Sequence, residues 1–580
     1  MNRPARPQPA WRPHPRRNPR ALAVTAAAAI VVSGAIALVN ATCLDLVVAS
    51  SNEKFDLLSD IAKTYPAQTV DRKCVVVKII KKASGAAESA LRRDWADEPT
   101  PRPHVWSPAA TSWLLLLSQH RKDDGRDEIV PRVAQSLMRS PTVIAMPQQM
   151  ANALDQAIGK IGWEDVYELG RAPEGWARYQ KRWGPFKLGK TNPTTSTSGL
   201  HALISVYNAA QRTDAPGKFL QGVESSVVHY APSVETFLSN LQQADERGAA
   251  LDYVSAIAVE EKQVYDYNRG NPGSLICAPT CKYPPPIEKL VALYPKDGTL
   301  VADHPYAVLA WTDSARREAA SDFQRYLERT EIQTRFQLEG FRDQRGQAGE
   351  VLKQQPFYDP SEPKTRWEPP DPSDLVDLLQ RWSDELRKPA HALFVIDVGR
   401  SMAAPIGGGN GTKLDLARRA AADALQDLAP KDVVGLWTFP TTDRSPYREA
   451  APLTTLAGKT SAVVSSLQNV GGSSDEASLY AIVRASVEQV RASFATDRIN
   501  AVVVLTGGGF DLLDAAAAGD LIAFLRGQRE EQRVRVFTVA YGPTSKDVLR
   551  QIAESSGGWF YDATDPVNIG ELLRNALSNF

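Results

Sequence analysis

The sequence predicts an α/β protein of two independently folding units, joined by a proline-rich linker and preceded by an apolar segment of membrane-spanning length. Three observations carry this. Residues 44–80 run strand, polar loop, helix, strand, the order that builds a parallel sheet. Strands and helices alternate again over residues 389–580, which gives a doubly wound sheet with helices on both faces. Between the two, Pro356, Pro360, Pro363, Pro369, Pro370 and Pro372 mark a semi-rigid extended spacer. A chain of 580 residues exceeds what one core supports, since single cores rarely grow past about 250–300 residues.

Taken in order, residues 1–20 form a basic, proline-rich tail with Arg3, Arg6, Arg12, Arg16, Arg17 and Arg20 and no acid. Residues 21–41 are a transmembrane anchor or a signal sequence. The uncharged run Ala21–Val39 is long enough to span a bilayer as a helix, and arginine on its N-terminal side alone puts the N-terminus in the cytoplasm. A cleaved signal ending near Val39-Asn40-Ala41 is the rival, and the protein is then secreted. The long basic and apolar regions favour the uncleaved, single-pass anchor with the bulk of the chain extracellular. Lysine plus arginine number 67, as do aspartate plus glutamate, so net charge gives no global affinity for nucleic acid.

The four cysteines fit that oxidising compartment. Cys277 and Cys281 can close a small loop. Cys43 and Cys74 each open a β-type run, and adjacent parallel strands would bring their starts together.

In the first unit, residues 42–345, Ser50 and Ser51 stand between a strand and a helix start, where hydroxyls and backbone amides can meet an anion or carboxylate. The same chemistry recurs at Ser107 and Thr111, at Ser140 and Thr142, and at Thr195, Ser196, Thr197 and Ser198. Such a cluster, with little nearby charge, suits a small polar or anionic solute held between lobes. Asp94, Asp97 and Glu98, or Glu260 and Glu261, have the types of an acid and base pair, but their spacing reads as solvated faces. His104, His229 and His304 have no Ser or Cys nucleophile motif beside them, so no enzyme activity and no catalytic residue is expected. Tryptophans at 95, 106, 113, 163, 176 and 183 have the rings to stack on a sugar, though core packing is their ordinary role.

Segments Ser140–Met146, Lys190–Gly199, Val228–Ser233, Ala256–Lys262, Tyr294–Leu300 and Asp303–Tyr306 together resemble the bacterial extracellular solute-binding proteins over nearly the whole unit. The resemblance implies two α/β lobes that close on a ligand, and it adds Tyr230 to the candidate ligand set. Val143–Met146 and Ser255–Val259 are placed as the segments crossing between lobes. The class does not fix the ligand, and Tyr230, Tyr265, Tyr267 and Tyr306 show no pairing diagnostic of iron.

Residues 346–388 are the linker and a short helix, with Ser373 as its cap and Leu375, Leu378, Leu379 and Trp382 at helical spacing. In residues 389–580, Ala392–Met402 is an apolar run ending in Asp397, Gly399 and Ser401, a strand delivering its carboxyl end to a site. The loop Gly407–Gly411 lacks the Walker lysine and reads as a loop, not a phosphate cradle.

The order and strand-end residues of this unit resemble a von Willebrand factor type A domain, a Rossmann-like fold in which three loops hold a magnesium ion for a partner's carboxylate. Asp397 and Ser401 match that pattern, while Gly399 stands in place of the first serine. Ser473 or Ala477 stands in the threonine's place, and Gly507 replaces the second aspartate. The metal set Asp397, Ser401 and Ser473 is therefore degenerate and expected to be unoccupied unless Asp475, Glu476 or Asp511 folds inward. No cofactor is required. The expected function is a membrane-anchored extracytoplasmic binding protein that joins a solute-binding module to a module for a protein partner. The alternative is a structural adhesion or envelope protein whose solute cleft is vestigial.

Overall fold

The computed structural model describes residues 43–576 except 67–68, 71–72, 97, 180–182, 232, 278–279, 407–410, 427, 441–446, 474–478, 509–514, 530–531, 542–545, 564–568, 571–572 and 574–575. The tail, the apolar run 21–39, most of the loop Gly407–Gly411, and Asp475, Glu476, Ala477 and Asp511 lie outside the described residues. No helix among the described residues is long and apolar enough to cross a membrane.

The first lobe begins with β1 (Leu44–Ser50), β2 (Thr69–Val70), β3 (Lys73–Lys81), β4 (Val105–Ser107) and β5 (Gln135–Ser136). The chain then builds the second lobe with β6 (Ser140–Pro147), β7 (Leu188–Thr191), β8 (Val227–Ala231), β9 (Ala256–Glu260), β10 (Leu290–Leu293) and β11 (Val301–Ala302), and returns with β12 (Pro305–Val308). The first sheet is ordered β2-β3-β1-β4-β12-β5 and the second β10-β6-β9-β7-β8, with β11 on β6. β1 and β3 are parallel with Leu44 opposite Val75, so Cys43 and Cys74 meet at the strand starts with Cα atoms 4.4 Å apart and are bonded. Cys277 and Cys281 are also bonded.

The crossings differ from expectation. Val143–Met146 and Ser255–Val259 belong to the second sheet, where Val143 pairs with Val259 and Ile144 with Ala258 in an antiparallel ladder. These runs are apolar on both faces because they are central strands buried on both sides. The chain crosses instead between β5 and β6, through Leu137 and Met138, and between β11 and β12, through Asp303 and His304. His304 adopts a left-handed backbone, φ 42°.

The linker also departs from a free spacer. The Thr299 amide donates to the Thr365 carbonyl at 3.2 Å, the Trp367 amide to the Thr299 carbonyl at 2.9 Å and the Ala292 amide to the Phe357 carbonyl at 2.9 Å. Leu352 and Tyr358 sit in the core of the second lobe. The helix Pro372–Arg381 starts with Asp371 at the N-cap position, not Ser373, and Pro372 fits the first helical position because it has no amide in need of a partner there. Its Leu375, Leu378, Leu379 and Trp382 face is buried, as the spacing requires.

The second unit has β13 (Ala390–Asp397), β14 (Val433–Phe439), β15 (Arg448–Thr455), β16 (Ile499–Thr506), β17 (Arg535–Ala540) and β18 (Phe560–Asp562), ordered β15-β14-β13-β16-β17-β18. Strand alternation sorts its residues onto two faces. Phe394 and Ile396 pack with Ala417 and Ala421, whereas Leu393 and Val395 pack with Ile482 and Val483. The strand β15 was not expected. It is an antiparallel edge strand with register shifts and holds Pro452, and proline is tolerated at such an edge.

Candidate functional site

The strands of both lobes end in loops that start helices, and these helix starts face one another across the lobes. Ser51, Asn52 and Glu53 come from the first turn after β1, Ala83 and Ser84 follow β3, Thr195 to Ser198 follow β7, Ser233, Val234 and Glu235 follow β8, and Glu260 and Gln263 follow β9. Together they line a recess of about 330 Å³ of empty space, open solvent included. The lobes touch over it. The Gly85 amide donates to the Thr195 carbonyl at 3.2 Å, Trp113 Nε1 donates to Thr197 Oγ1 at 2.8 Å, and Ser112 Oγ lies 3.2 Å from His201 Nε2. Burial pushes His201 down to about 3, so its ring is neutral and fixed between Ser112 and Thr142 Oγ1, 3.1 Å away.

Behind the recess lies a buried ionic cluster. Lys54 Nζ donates to the Pro108 carbonyl at 3.0 Å and lies 3.3 Å from His304 Nδ1, with Ser51 Oγ bonded to both Lys54 and Glu53. His304, from the crossing segment, sits 3.4 Å from Glu53 Oε1 in the first lobe and 3.4 Å from Glu260 Oε2 in the second. Burial alone would raise the Glu53 carboxyl, but Lys54 and His304 outweigh it and hold it well below the usual range. Glu260 is raised, because burial exceeds the pull of His304, and Glu235 is raised by burial and by Glu53. Burial and Lys54 depress His304, yet the two glutamates win and raise it, while burial lowers Lys54.

Of the expected ligand residues, Ser51, Thr195, Ser196, Thr197 and Ser198 line the recess. Ser50, Ser107, Thr111, Ser140 and Thr142 are not among its lining residues. Ser50 Oγ donates to the Ser51 carbonyl, Thr111 Oγ1 to Asp303 Oδ2 at 2.6 Å, and Ser140 Oγ accepts the Lys262 amide at 3.1 Å. Ser107 Oγ is buried without a partner among the described residues. Tyr230 lies elsewhere. It is buried, donates to Glu224 Oε2 at 2.7 Å and packs edge-on against Trp382 at the junction with the second unit. The six tryptophans are buried and none lines the recess. Sequence reading missed Asn52, Glu53, Ser84, Ser233, Glu235, Glu260 and Gln263. Glu260 and Glu261 are not solvated faces, for both are at most 1 % exposed.

At the end of β13, Asp397 is buried and its oxygens are engaged. Oδ1 accepts the Gly399 amide at 2.8 Å, and Oδ2 accepts Thr506 Oγ1 at 2.7 Å and the Gly507 amide at 3.2 Å. Ser401 Oγ donates to the Gly508 carbonyl at 2.7 Å, and the Ser473 amide donates to the Val398 carbonyl at 2.7 Å. Burial raises the Asp397 carboxyl above its usual value despite these donors. No cluster of three or more His, Cys, Asp or Glu able to hold a metal occurs among the described residues.

Residues 393–575 match the family model for the von Willebrand factor type A domain. Two uncharacterized proteins of Mycobacterium tuberculosis, from strains CDC 1551 / Oshkosh and H37Rv, are each 23% identical over 521 residues, covering 87% of this chain and 72% of theirs. Among solved structures, the sulfate-binding protein SubI of M. tuberculosis H37Rv is 13% identical with a TM-score of 0.36, covering 58% of this chain and 96% of its own. A von Willebrand factor type A protein of Catenulispora acidiphila is 17% identical with a TM-score of 0.28, covering 33% of this chain and 43% of its own. Residues 46–342, half of the chain, match the family model for the bacterial extracellular solute-binding proteins, and the chain belongs to that family, with a von Willebrand factor type A domain fused behind the solute-binding module.

Proposed function

We propose that the protein is a membrane-anchored extracytoplasmic receptor whose interlobe recess takes a compact polar solute and whose second unit meets a protein partner. The observation that carries this is the facing set of hydroxyl-bearing helix starts from both lobes, closed over a small recess by Gly85–Thr195 and Trp113–Thr197. Hydroxyls and first-turn amides donate to solute oxygens, the carboxylates accept from solute donors, and closure removes competing water. Two disulfides fit a location outside the cytoplasm, and residues 21–39 supply the anchor.

The second unit works without a resident magnesium ion. Asp397 spends its oxygens on Gly399, Thr506 and Gly507, and a side chain at Gly507 would come within 2.7 Å of Met402 Sδ and 3.0 Å of Ser401 Oγ. Magnesium needs correctly placed, free oxygen ligands, and these residues do not offer them.

Thermal unfolding of the full chain tests both statements, with sulfate, phosphate, molybdate, amino acids, sugars and magnesium as additives. A solute at a hundred times its Kd stabilises by about 2.7 kcal/mol. At least one solute is expected to raise the midpoint and magnesium to leave it unchanged. No response to any solute would leave the cleft vestigial and the protein structural, and a magnesium response lost in Asp397→Ala would overturn the metal-free account.

A further inference from the structure

We propose that the helix Pro372–Arg381 is a strap across the two lobes that couples closure of the cleft to the second unit. This rests on the reading of the recess as a cleft that opens and closes, and it adds the route by which the state of the cleft reaches the second unit.

The strap is fastened to the second lobe at both ends. Before it, the Trp367 amide donates to the Thr299 carbonyl at 2.9 Å, and the Arg212 guanidinium lies over the Trp367 ring, 5.5 Å from its centre. After it, the turn Trp382–Leu386 packs on the second-lobe helix Pro216–Ser225, where a Cβ at Gly217 would lie 3.4 Å from Arg381 Nη2. Trp382 stands edge-on to Tyr230 with ring centres 5.5 Å apart, and Lys190 Nζ is 5.9 Å from the Trp382 ring centre. Lys190 and Tyr230 belong to β7 and β8, and β7 leads into Thr195 to Ser198 of the recess.

Between those ends the strap lies along the first lobe. It packs on the helix Thr111–Asp123 that follows β4, and Leu375, Leu378 and Leu379 are buried in the same apolar cluster as Leu114 and Leu117 of that helix. The same first-lobe helix carries Ser112 and Trp113, which meet His201 and Thr197 across the closed cleft. An opening that carries this helix away from the second lobe must drag the strap with it or strip its leucine face into water. Docking of the strap and closure of the cleft therefore favour each other, and by linkage they do so equally.

The end of the strap is also the entry to the second unit. The Lys388 amide donates to the Tyr230 hydroxyl at 3.4 Å, and Arg387 pairs with Asp432. Asp432 in turn accepts the Ala390 amide at 2.7 Å and the Ala429 amide at 2.7 Å. Ala390 opens β13, whose other end carries Asp397, so a shift of the strap is delivered to the central strand of that sheet.

The test is hydrogen exchange and small-angle scattering of the full chain without solute, on the wild type, Gly85→Val and Leu378→Ser. A Cβ at residue 85 would lie 2.2 Å from the Thr194 carbonyl oxygen of the opposite lobe and so forces the cleft apart. Gly85→Val is expected to speed exchange about tenfold at amides 376–382, 387, 388 and 390, while amides 536–540 of β17 keep their rates. Leu378→Ser is expected to enlarge the radius of gyration and to speed exchange at amides 195–200, although residue 378 does not line the recess. If Gly85→Val opens the lobes and amides 376–390 keep their rates, or if Leu378→Ser speeds its own helix alone while the lobes stay shut, the coupling is overturned. The second arm stands by itself, and the milder Leu378→Ala replaces the serine variant if that does not fold. Neither result bears on the solute-binding reading, which fails only if no solute of the panel above raises the unfolding midpoint.

Discussion

Gly85→Val is expected to hold the two lobes apart and to lower solute affinity about a hundredfold without unfolding either lobe. A Cβ at residue 85 would lie 2.2 Å from the Thr194 carbonyl oxygen and 2.7 Å from the Thr195 Cα, both backbone atoms of the opposite lobe. Backbone cannot swing aside as a side-chain end does, so the loop after β7 must retreat. Retreat breaks the Gly85–Thr195 bond and pulls Thr197 from Trp113 and His201 from Ser112. If the closed form falls to about one molecule in a hundred, apparent affinity falls by the same factor. Small-angle scattering checks the opening as a larger radius of gyration, and titration with any solute that stabilises the wild type checks the affinity.

Glu261→Ala is expected to cost about 3–5 kcal/mol of stability, the usual consequence of stripping one partner from a buried ion pair. Glu261 is fully buried and accepts Arg342 Nη2 at 2.6 Å, Arg342 Nε at 2.8 Å and the Tyr294 hydroxyl. Arg342 is itself 3 % exposed, and its backbone pairs with Arg139 where the chain passes back from the first lobe to the second. Removing the carboxylate leaves a guanidinium and a tyrosine hydroxyl unmet in the core. Urea unfolding measures the loss, and the double variant Glu261→Leu, Arg342→Met is expected to recover much of it, because an apolar pair of similar volume removes the stranded guanidinium and leaves only the Tyr294 hydroxyl unmet.

Helix starts were legible in the sequence because apolar runs followed by Ser, Thr and Asn carry a local signal, and Thr195 to Ser198 reach the recess as that signal implies. Cys43–Cys74 was legible for a related reason, since two strand starts sufficed. The buried ionic cluster behind the recess was not. Lys54 meets His304 across 250 positions of sequence, and nothing local marks residues so far apart as one cluster. Glu260 and Glu261 read as a surface pair because adjacent acids usually are, yet the end of β9 turns one toward the recess and the other into the core. The linker misled through its prolines, while Leu352, Tyr358 and Trp367 among them supply the apolar contacts that lay it on the second lobe. Tyr230 entered through likeness to a segment, and only the structure reveals that its hydroxyl serves Glu224 beneath the second unit.

Hydrogen exchange of the full chain, with and without a saturating stabilising solute, tests most directly whether the recess between the lobes is where the solute binds. Slowed exchange is expected at amides 84–87 and 195–200, the helix starts that close over the recess. Slowing confined to the junction of the two units, where Arg247 lies 3.8 Å from Glu554, or at no amide of either lobe, would contradict the account.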